Sequence, residues 1–276
     1  MSILIVDAGS TKTDWMVLEN GAVTHRVTTQ GFNPNYSDPK AFSEILKALP
    51  NDLPVMDEVH YYGSGCGAEA NQIQVSRWLK SRFKKADIHV THDLMAVCHA
   101  ALGHEKGIAC ILGTGANSCL YDGNDITERA VSLGYLLGDE GSGCYIGRKL
   151  VRAYFYDLMP LELKMSFHLA YNLEINAFIK QVYHEPEASK YLASFTKFAG
   201  EHLAHPYIQQ LIKDSFSDFI QAFVLRYKDC RTLPVSFVGS VAYAFQDLLR
   251  ESLEAEGLTL GKVMQSPAEG LIQMYS

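Results

Sequence analysis

The sequence predicts an α/β protein with two related lobes, and three observations carry this prediction. Stretches typical of strands alternate with stretches typical of helices, a pattern that favours parallel strands joined by crossover helices. A block of strand, glycine-rich turn and hairpin opens the chain and returns near residue 107. The length of 276 residues exceeds that of most single domains. We therefore expect a first lobe at residues 1–112 and a second at 113–276, with a shared hinge and cleft.

The first lobe should begin with a buried strand at residues 2–6 and two further strands joined at Asn20-Gly21. Asn-Gly between apolar runs is a strong hairpin signal, so the sheet should begin antiparallel. A helix is expected from about Pro39 to Leu49. Strands are then expected near 58–65 and 87–93, and helices near 69–85 and 94–103.

The second lobe should repeat this opening within residues 107–123, where a buried strand, a glycine-rich turn and a second strand lead to Asp122-Gly123 and a third short strand. Residues 142–230 should be mostly helical, with breaks at Met159-Pro160 and His205-Pro206. A strand at 234–240, a helix at 241–257, a strand at 258–265 and a helix after Pro267 complete the pattern.

The composition is that of an ordinary globular protein, with 47% hydrophobic and 20% charged residues. The net charge of -7 argues against an extended nucleic-acid surface. No apolar run approaches the length of a membrane span and the start lacks a basic leader, so we expect a cytoplasmic protein with reduced cysteines. One group of histidines and cysteines fits no metal-ligand spacing, and we expect it to be structural: His89, His92, Cys98, His99 and His104.

Four glycine-rich turns each follow an expected strand: "DAGSTKT", "YGSGCG", "LGTGANS" and "FVGSVA". Exposed amides at such turns can bind anions, although sheets also need plain turns. Hydroxyl groups in two of the turns, and Lys12 in the first, point to a nucleotide polyphosphate. The chain lacks the P-loop pattern, and it lacks G-x-G-x-x-G after its first strand, which argues against a dinucleotide fold.

Acidic residues lie at three places where an expected strand or turn ends. Asp7 ends a strand beside the first turn, where it could hold Mg²⁺ near phosphates or simply cap the turn. Asp93 ends another strand and precedes a helix, so it could be an N-cap or a base that accepts a proton from a substrate hydroxyl. The turn at 138–143 contains Asp139 and Glu140, of which capping explains one.

The four segments "DAGSTKTDW", "LGTGANS", "GYLLGDEGSG" and "FVGSVA", in that order, resemble the phosphate-1, phosphate-2, sugar and adenosine motifs of the actin, Hsp70 and sugar-kinase superfamily. The chain is most similar to the N-acetylglucosamine kinase branch, which is grouped with the BadF/BadG/BcrA/BcrD-type ATPases. The resemblance implies a two-lobed actin-like ATPase fold. Its lobes would be ribonuclease H-like, with mixed sheets, a helical insertion in the second lobe and an ATP cleft between the lobes.

The resemblance also implies roles for individual residues. Asp7 would serve Mg²⁺, and Asp93 would be the catalytic base. Nucleotide contacts are implied for Gly9, Ser10, Thr11, Lys12, Gly113, Thr114, Gly115, Gly239 and Ser240. Sugar contacts are implied for Asn35, Ser64, Asp93, Thr114, Asn117 and Asp139. The sequence departs from the family pattern at Ala8, where a glycine is frequent, and at residues 132–134, where vertebrate relatives have Gly-Trp-Gly.

The leading hypothesis is therefore an ATP-dependent kinase that phosphorylates N-acetylglucosamine, or a related amino sugar, at its 6-hydroxyl. ATP and Mg²⁺ are the implied cofactors, and a homodimer is the implied assembly. Two alternatives stay open: an ATPase of the BadF/BadG type that drives a partner protein, and a non-catalytic nucleotide or sugar sensor. Nucleic acid and membrane are not expected as partners.

Overall fold

The computed structural model describes residues 1–9, 12–35 and 37–276, and for Pro39 it describes the backbone alone. The expected phosphate contacts Ser10 and Thr11 lie outside the described residues. Internal contacts divide the chain into unit 1, residues 1–104 and 266–276, and unit 2, residues 105–265. These units differ in extent from the expected lobes at 1–112 and 113–276, and that lobe boundary stays a prediction.

Unit 1 contains a five-stranded mixed sheet in the order β3-β2-β1-β4-β5. Its strands are β1 (Ser2–Ala8), β2 (Lys12–Glu19), β3 (Ala22–Gln30), β4 (Glu58–Gly63) and β5 (Asp87–His92). Its first three helices are α1 (Pro39–Ala48), α2 (Glu69–Arg82) and α3 (Asp93–Val97), and α3 continues as a π-helical segment, Cys98–Leu102.

The hairpin of β2 and β3 forms as predicted. Asn20 and Gly21 have φ angles of 51° and 80°, the left-handed pair that a two-residue hairpin turn requires. Strands β1, β4 and β5 run parallel, also as expected. Leu4, Ile5 and Val6 of β1 are all fully buried, which shows that both faces of the central strand are covered.

Unit 2 repeats the same strand order, β8-β7-β6-β9-β10. Its strands are β6 (Gly107–Leu112), β7 (Ala116–Tyr121), β8 (Ile126–Arg129), β9 (Pro234–Val238) and β10 (Thr259–Met264). In each unit an antiparallel hairpin continues the sheet on one side of the first strand, through β2 and β3 or through β7 and β8. Two parallel strands, β4 and β5 or β9 and β10, continue it on the other side. The internal repeat that the sequence predicts is therefore a repeat of sheet topology.

The helical part of unit 2 lies between β8 and β9. Its helices are α4 (Gly134–Leu137), α5 (Gly143–Phe155), α6 (Leu161–Tyr171), α7 (Ile175–Tyr183), α8 (Ala188–Ser194), α9 (Thr196–Glu201) and α10 (Pro206–Phe219), and a π-helical segment, Ile220–Val224, extends α10. The predicted breaks at Pro160 and Pro206 are confirmed. The expected single helix at 241–257 is instead two, α11 (Ser240–Ala244) and α12 (Gln246–Ala255), which meet at the buried Phe245.

The C-terminal helix α13 (Ala268–Tyr275) belongs to unit 1 and packs on the π-helical segment that follows α3. Arg26 of β3 donates a hydrogen bond to Glu269 at 2.6 Å, and the Tyr275 hydroxyl contacts the Tyr62 hydroxyl at 2.7 Å. Both contacts tie the last helix to the first sheet.

Two expectations about composition can be compared with the structure. All six cysteines are buried free thiols, as expected for reduced cysteines. Within residues 1–9, 12–35 and 37–276, no helix has both the length and the apolar character needed to cross a membrane.

We predict that Gly147→Ala will destabilise the protein by about 1–3 kcal/mol, because an added Cβ would lie 1.9 Å from the Leu192 carbonyl oxygen and force α5 away from α8. Gly200→Ala is the matched control, since no atom lies within 4 Å of an added Cβ there. Alanine favours the helical backbone, so this control should be as stable as the wild type or more stable. Urea unfolding of both variants measures the difference, and equal stabilities would contradict this close approach.

Candidate active site

The carboxyl ends of the three parallel strands of unit 1 bring together Asp7, Ser64 and Asp93. Ala8 pairs with Gly63, and Gly63 pairs with His92, so β1, β4 and β5 end at the same sheet edge. The Ser64 amide donates to the Ala8 carbonyl at 2.8 Å, and the Ser64 hydroxyl donates to Asp93 Oδ2 at 3.3 Å. Two acids and a hydroxyl group that the sequence scatters over almost ninety residues therefore form one cluster.

Asp7 is unusual for an acid because burial raises its pKa to about 7. Of the charged neighbours, Asp14 on the adjacent strand and Asp93 contribute to this rise in pKa, and Lys12 opposes it. Among the described residues, no group donates a hydrogen bond to the Asp7 carboxyl. A carboxylate without a donor and next to other acids has the character of a cation ligand, so the site fits a divalent ion with oxygen ligands.

Asp93 opens helix α3 and is held in one orientation. Its Oδ1 accepts from the Leu94 amide at 2.9 Å, while Oδ2 faces the Ser64 hydroxyl. Burial raises the pKa of Asp93, and nearby His92 and these hydrogen bonds lower it. A partly buried acid with an elevated pKa and a fixed oxygen has the properties of a general base for an alcohol.

The turn between β1 and β2 is closed by a hydrogen bond from the Gly9 amide to the Lys12 carbonyl at 2.9 Å. Lys12 is 61% exposed at its side chain and forms an ion pair with Asp14 at 2.6 Å. Asp14 also accepts from the Thr28 hydroxyl at 2.7 Å. These contacts hold Asp14 within the β2–β3 hairpin, and Lys12 keeps its ammonium group at the surface beside the turn.

Asn35 joins the site through a residue that the sequence analysis missed. Asn71, in the first turn of α2, donates to Asn35 Oδ1 and to the Gly65 carbonyl, both at 2.8 Å. The loop that contains Asn35 is thereby tied to the loop that contains Ser64. A sequence signal existed, because α2 begins without a capping side chain and has a polar asparagine in its first turn.

In unit 2 the glycine-rich turn of residues 113–115 lies on the start of helix α5. The Gly143 amide donates to the Gly113 carbonyl at 2.8 Å, and the Cys144 amide donates to the Thr114 carbonyl at 3.1 Å. Ser142 caps the helix by accepting from the Tyr145 amide at 3.2 Å. Thr114 itself is exposed, so its hydroxyl is available at the surface of this turn.

Asp139 is buried beside the same turn, with 8% of its surface exposed. Its Oδ1 accepts from the Ala116 amide at 3.2 Å, and its backbone is left-handed, with φ of 57°. Burial raises the pKa of this carboxyl, and the Ala116 hydrogen bond opposes that rise. Of the two acids in the 138–143 turn, Asp139 is thus the one placed against the glycine-rich turn.

Gly239 completes the group in unit 2. An added Cβ at Gly239 would lie 2.2 Å from the Leu112 carbonyl oxygen, and its φ is 139°, so only glycine fits this approach. Ser240 begins α11 directly after it. Asn117 lies on β7, and its Oδ1 accepts from the Ser118 amide at 2.9 Å. Gly113, Thr114, Gly115, Asp139 and Gly239 are therefore neighbours, and Asn117 and Ser240 flank them.

Comparison with known proteins supports the same fold. The profile of the BadF/BadG/BcrA/BcrD ATPase family matches residues 6–270. A structure from Porphyromonas gingivalis, by name a candidate N-acetylglucosamine kinase, has 40% sequence identity and a TM-score of 0.94, and the match covers 99% of this chain and 98% of that one. No curated protein matches the chain.

Two more distant structures share the fold alone. A candidate N-acetylglucosamine kinase from Chromobacterium violaceum has 17% identity and a TM-score of 0.65 over 100% of this chain and 99% of that one. A ROK family glucokinase from Streptomyces griseus, solved with glucose and AMPPNP, has 14% identity and a TM-score of 0.57 over 99% and 98%. The α/β actin-like ATPase fold with mixed sheets is thereby confirmed.

We predict that Asp7→Asn will stabilise the metal-free protein in a pH-dependent way. The folded chain keeps the Asp7 proton up to a pH of about 7, whereas the ordinary pKa is 3.8, so wild-type stability falls as pH rises between these values. The advantage of the variant should grow from near zero at pH 4 to about 2–4 kcal/mol at pH 8. Urea unfolding with chelator present measures it. The exposed Asp52→Asn is the control, and a pH-independent difference for Asp7→Asn would contradict the burial of its charge.

Proposed function

The chain belongs to the BadF/BadG/BcrA/BcrD ATPase family, and on this basis we propose that it is an ATP-dependent kinase for an amino sugar. The favoured substrate is N-acetylglucosamine, phosphorylated at its 6-hydroxyl. The observation that carries the proposal is the pairing of Asp93 with Ser64 at the strand ends, next to Asp7. The name of the Porphyromonas gingivalis relative supports the choice of sugar.

Asp93 is the proposed catalytic base. The sugar hydroxyl oxygen forms a bond to the γ-phosphorus of ATP, the bond from that phosphorus to the ADP oxygen breaks, and the hydroxyl proton passes to an Asp93 oxygen. The pKa of Asp93, which burial raises above its ordinary value, supports this role because a more basic carboxylate accepts a proton more readily. The Leu94 amide and the Ser64 hydroxyl keep its oxygens in place.

The phosphates of ATP are proposed to contact the two glycine-rich turns. Gly9, Ser10, Thr11 and Lys12 supply one set of groups, and Gly113, Thr114 and Gly115 supply the other. Mg²⁺, when bound, would neutralise phosphate charge, and Asp7 is its proposed ligand because its partly buried carboxyl lies near Asp14 and Asp93. Gly239 and Ser240 are proposed to border the adenosine.

The sugar is proposed to contact six polar residues near these turns: Asn35, Ser64, Asp93, Thr114, Asn117 and Asp139. Asn71 supports this choice, since it fixes the amide of Asn35 relative to the Ser64 loop. Asp139 supports it too, because a buried carboxylate is a strong acceptor for sugar hydroxyl groups. The implied homodimer stays a prediction.

A partner-driving ATPase is the main alternative, because the family name covers such enzymes. Some of those proteins bind an iron–sulfur cluster through cysteine thiolates. Here Cys66 belongs to unit 1 and Cys144 to unit 2, and both are fully buried, which is typical of structural thiols. This observation favours the kinase.

The sugar dependence of ADP release distinguishes the two functions. We expect a coupled assay with ATP and Mg²⁺ to show ADP release with N-acetylglucosamine well above the rates with N-acetylmannosamine, glucosamine, glucose or no sugar. Strict dependence on another sugar would keep the kinase and correct the substrate. Hydrolysis that is independent of sugar would contradict the kinase and favour the ATPase.

The variant Asp93→Asn should lose kcat by about 10² to 10⁴-fold while it still binds nucleotide, since the amide cannot accept the hydroxyl proton. Phosphoryl transfer measures the loss, and the fluorescence of a bound ATP analogue measures binding. Asp52→Asn, an exposed acid of the same unit, is the matched control. Near-normal turnover in Asp93→Asn would contradict its role as the base.

A further inference from the structure

A second group of potential ligands lies at the opposite end of β4 from Ser64. Glu58 and His60 are two residues apart on this strand and therefore point to the same face. His89 on β5 is the direct partner of His60 in the parallel register. One ligand atom from each of these three residues lies within 4.8 Å of the other two.

The two imidazole rings are stacked, with centroids 4.8 Å apart and planes 12° from parallel. His60 Nε2 lies 2.7 Å from Glu58 Oε2, and the His89 side chain is exposed. In a tetrahedral site with bonds of about 2.0–2.1 Å, donor atoms lie roughly 3.3 Å apart. The donor atoms, now within 4.8 Å of one another, must therefore approach by roughly an ångström, and the exposed His89 side chain has room to rotate.

The other nitrogen of His60 is already oriented by neighbouring groups. The Tyr275 hydroxyl of α13 lies 3.1 Å from His60 Nδ1, and the Tyr62 hydroxyl lies 2.7 Å from Tyr275 and 2.7 Å from His99 Nδ1. A partner on one ring nitrogen fixes the ring and leaves the other nitrogen for a metal, as is typical of metal-bound histidines.

We propose that Glu58, His60 and His89 bind one divalent transition-metal ion of the zinc class, with water at the remaining position. Two imidazoles and one carboxylate select such ions, whereas Mg²⁺ and Ca²⁺ prefer sites built from oxygen ligands. The site is separate from the Asp7 site, because Glu58 begins β4 and Ser64 follows its end. Its occupant links β4, β5 and, through Tyr275, the C-terminal helix.

Isothermal titration of the chelator-treated full chain with Zn²⁺, in excess Mg²⁺ to fill the oxygen-ligand site, tests the proposal. We expect one Zn²⁺ per chain. Co²⁺ should give the visible absorption of a low-coordinate nitrogen and oxygen site. The absence of saturable Zn²⁺ binding would overturn the proposal.

Variants locate the site. His89→Gln should weaken Zn²⁺ binding by at least about tenfold, and Glu58→Gln is a second variant should the first fail to fold. Tyr275→Phe should weaken binding by about 10-fold through the orientation of His60. The matched control is His184→Gln, at an exposed histidine directly after α7, and its Zn²⁺ binding should be unchanged. Wild-type affinity in His89→Gln, or an equal loss in the control, would overturn the proposal.

Discussion

The register of β1 against β4 is the constraint on which the candidate site of unit 1 depends. Because Ala8 pairs with Gly63, the Ser64 amide reaches the Ala8 carbonyl, and the Ser64 hydroxyl reaches Asp93. A register shift by one residue would turn Asp7 to the opposite face of the sheet. The raised pKa values of Asp7 and Asp93 follow from the same register, since it holds both carboxyl groups at one poorly hydrated edge.

The two units share a strand order but place their acidic residues differently. In unit 1 the strand before the first hairpin turn ends in Asp7-Ala8, whereas in unit 2 it ends in the apolar pair Ile111-Leu112. Unit 2 supplies its acid from a separate turn, where Asp139 accepts from the Ala116 amide. The repeat thus keeps the backbone frame, while the acid comes from a strand end in unit 1 and from a separate turn in unit 2.

Local signals in the sequence predict much of the fold. Asn20-Gly21, the two prolines at 160 and 206, and the alternation of strands and helices each act over a few residues, and the structure confirms all of them. The break at Phe245 was missed because burial of that ring decides it, and burial is a tertiary property. Asn71 was missed for a similar reason, since its partners Asn35 and Gly65 come from different loops.

The histidine site also depends on contacts between residues that are distant in sequence. The residues close to His89 in sequence fit no metal-ligand spacing. Its neighbours in the sheet are His60 and Glu58, which a parallel pairing brings beside it. The positions of the glycine-rich turns can be predicted because each turn follows its strand directly in the sequence. A site whose ligands come from two strands can be predicted only when the pairing register of those strands is known.

The attachment of α13 to unit 1 has a consequence for the order in which the protein folds. Unit 2 is one continuous segment, residues 105–265, whereas unit 1 takes its last helix from residues 266–276. During synthesis, the ribosome releases all of unit 2 before the residues that pair Glu269 with Arg26 and Tyr275 with Tyr62. The sheet with the candidate base therefore acquires its final packing last, although it is made first.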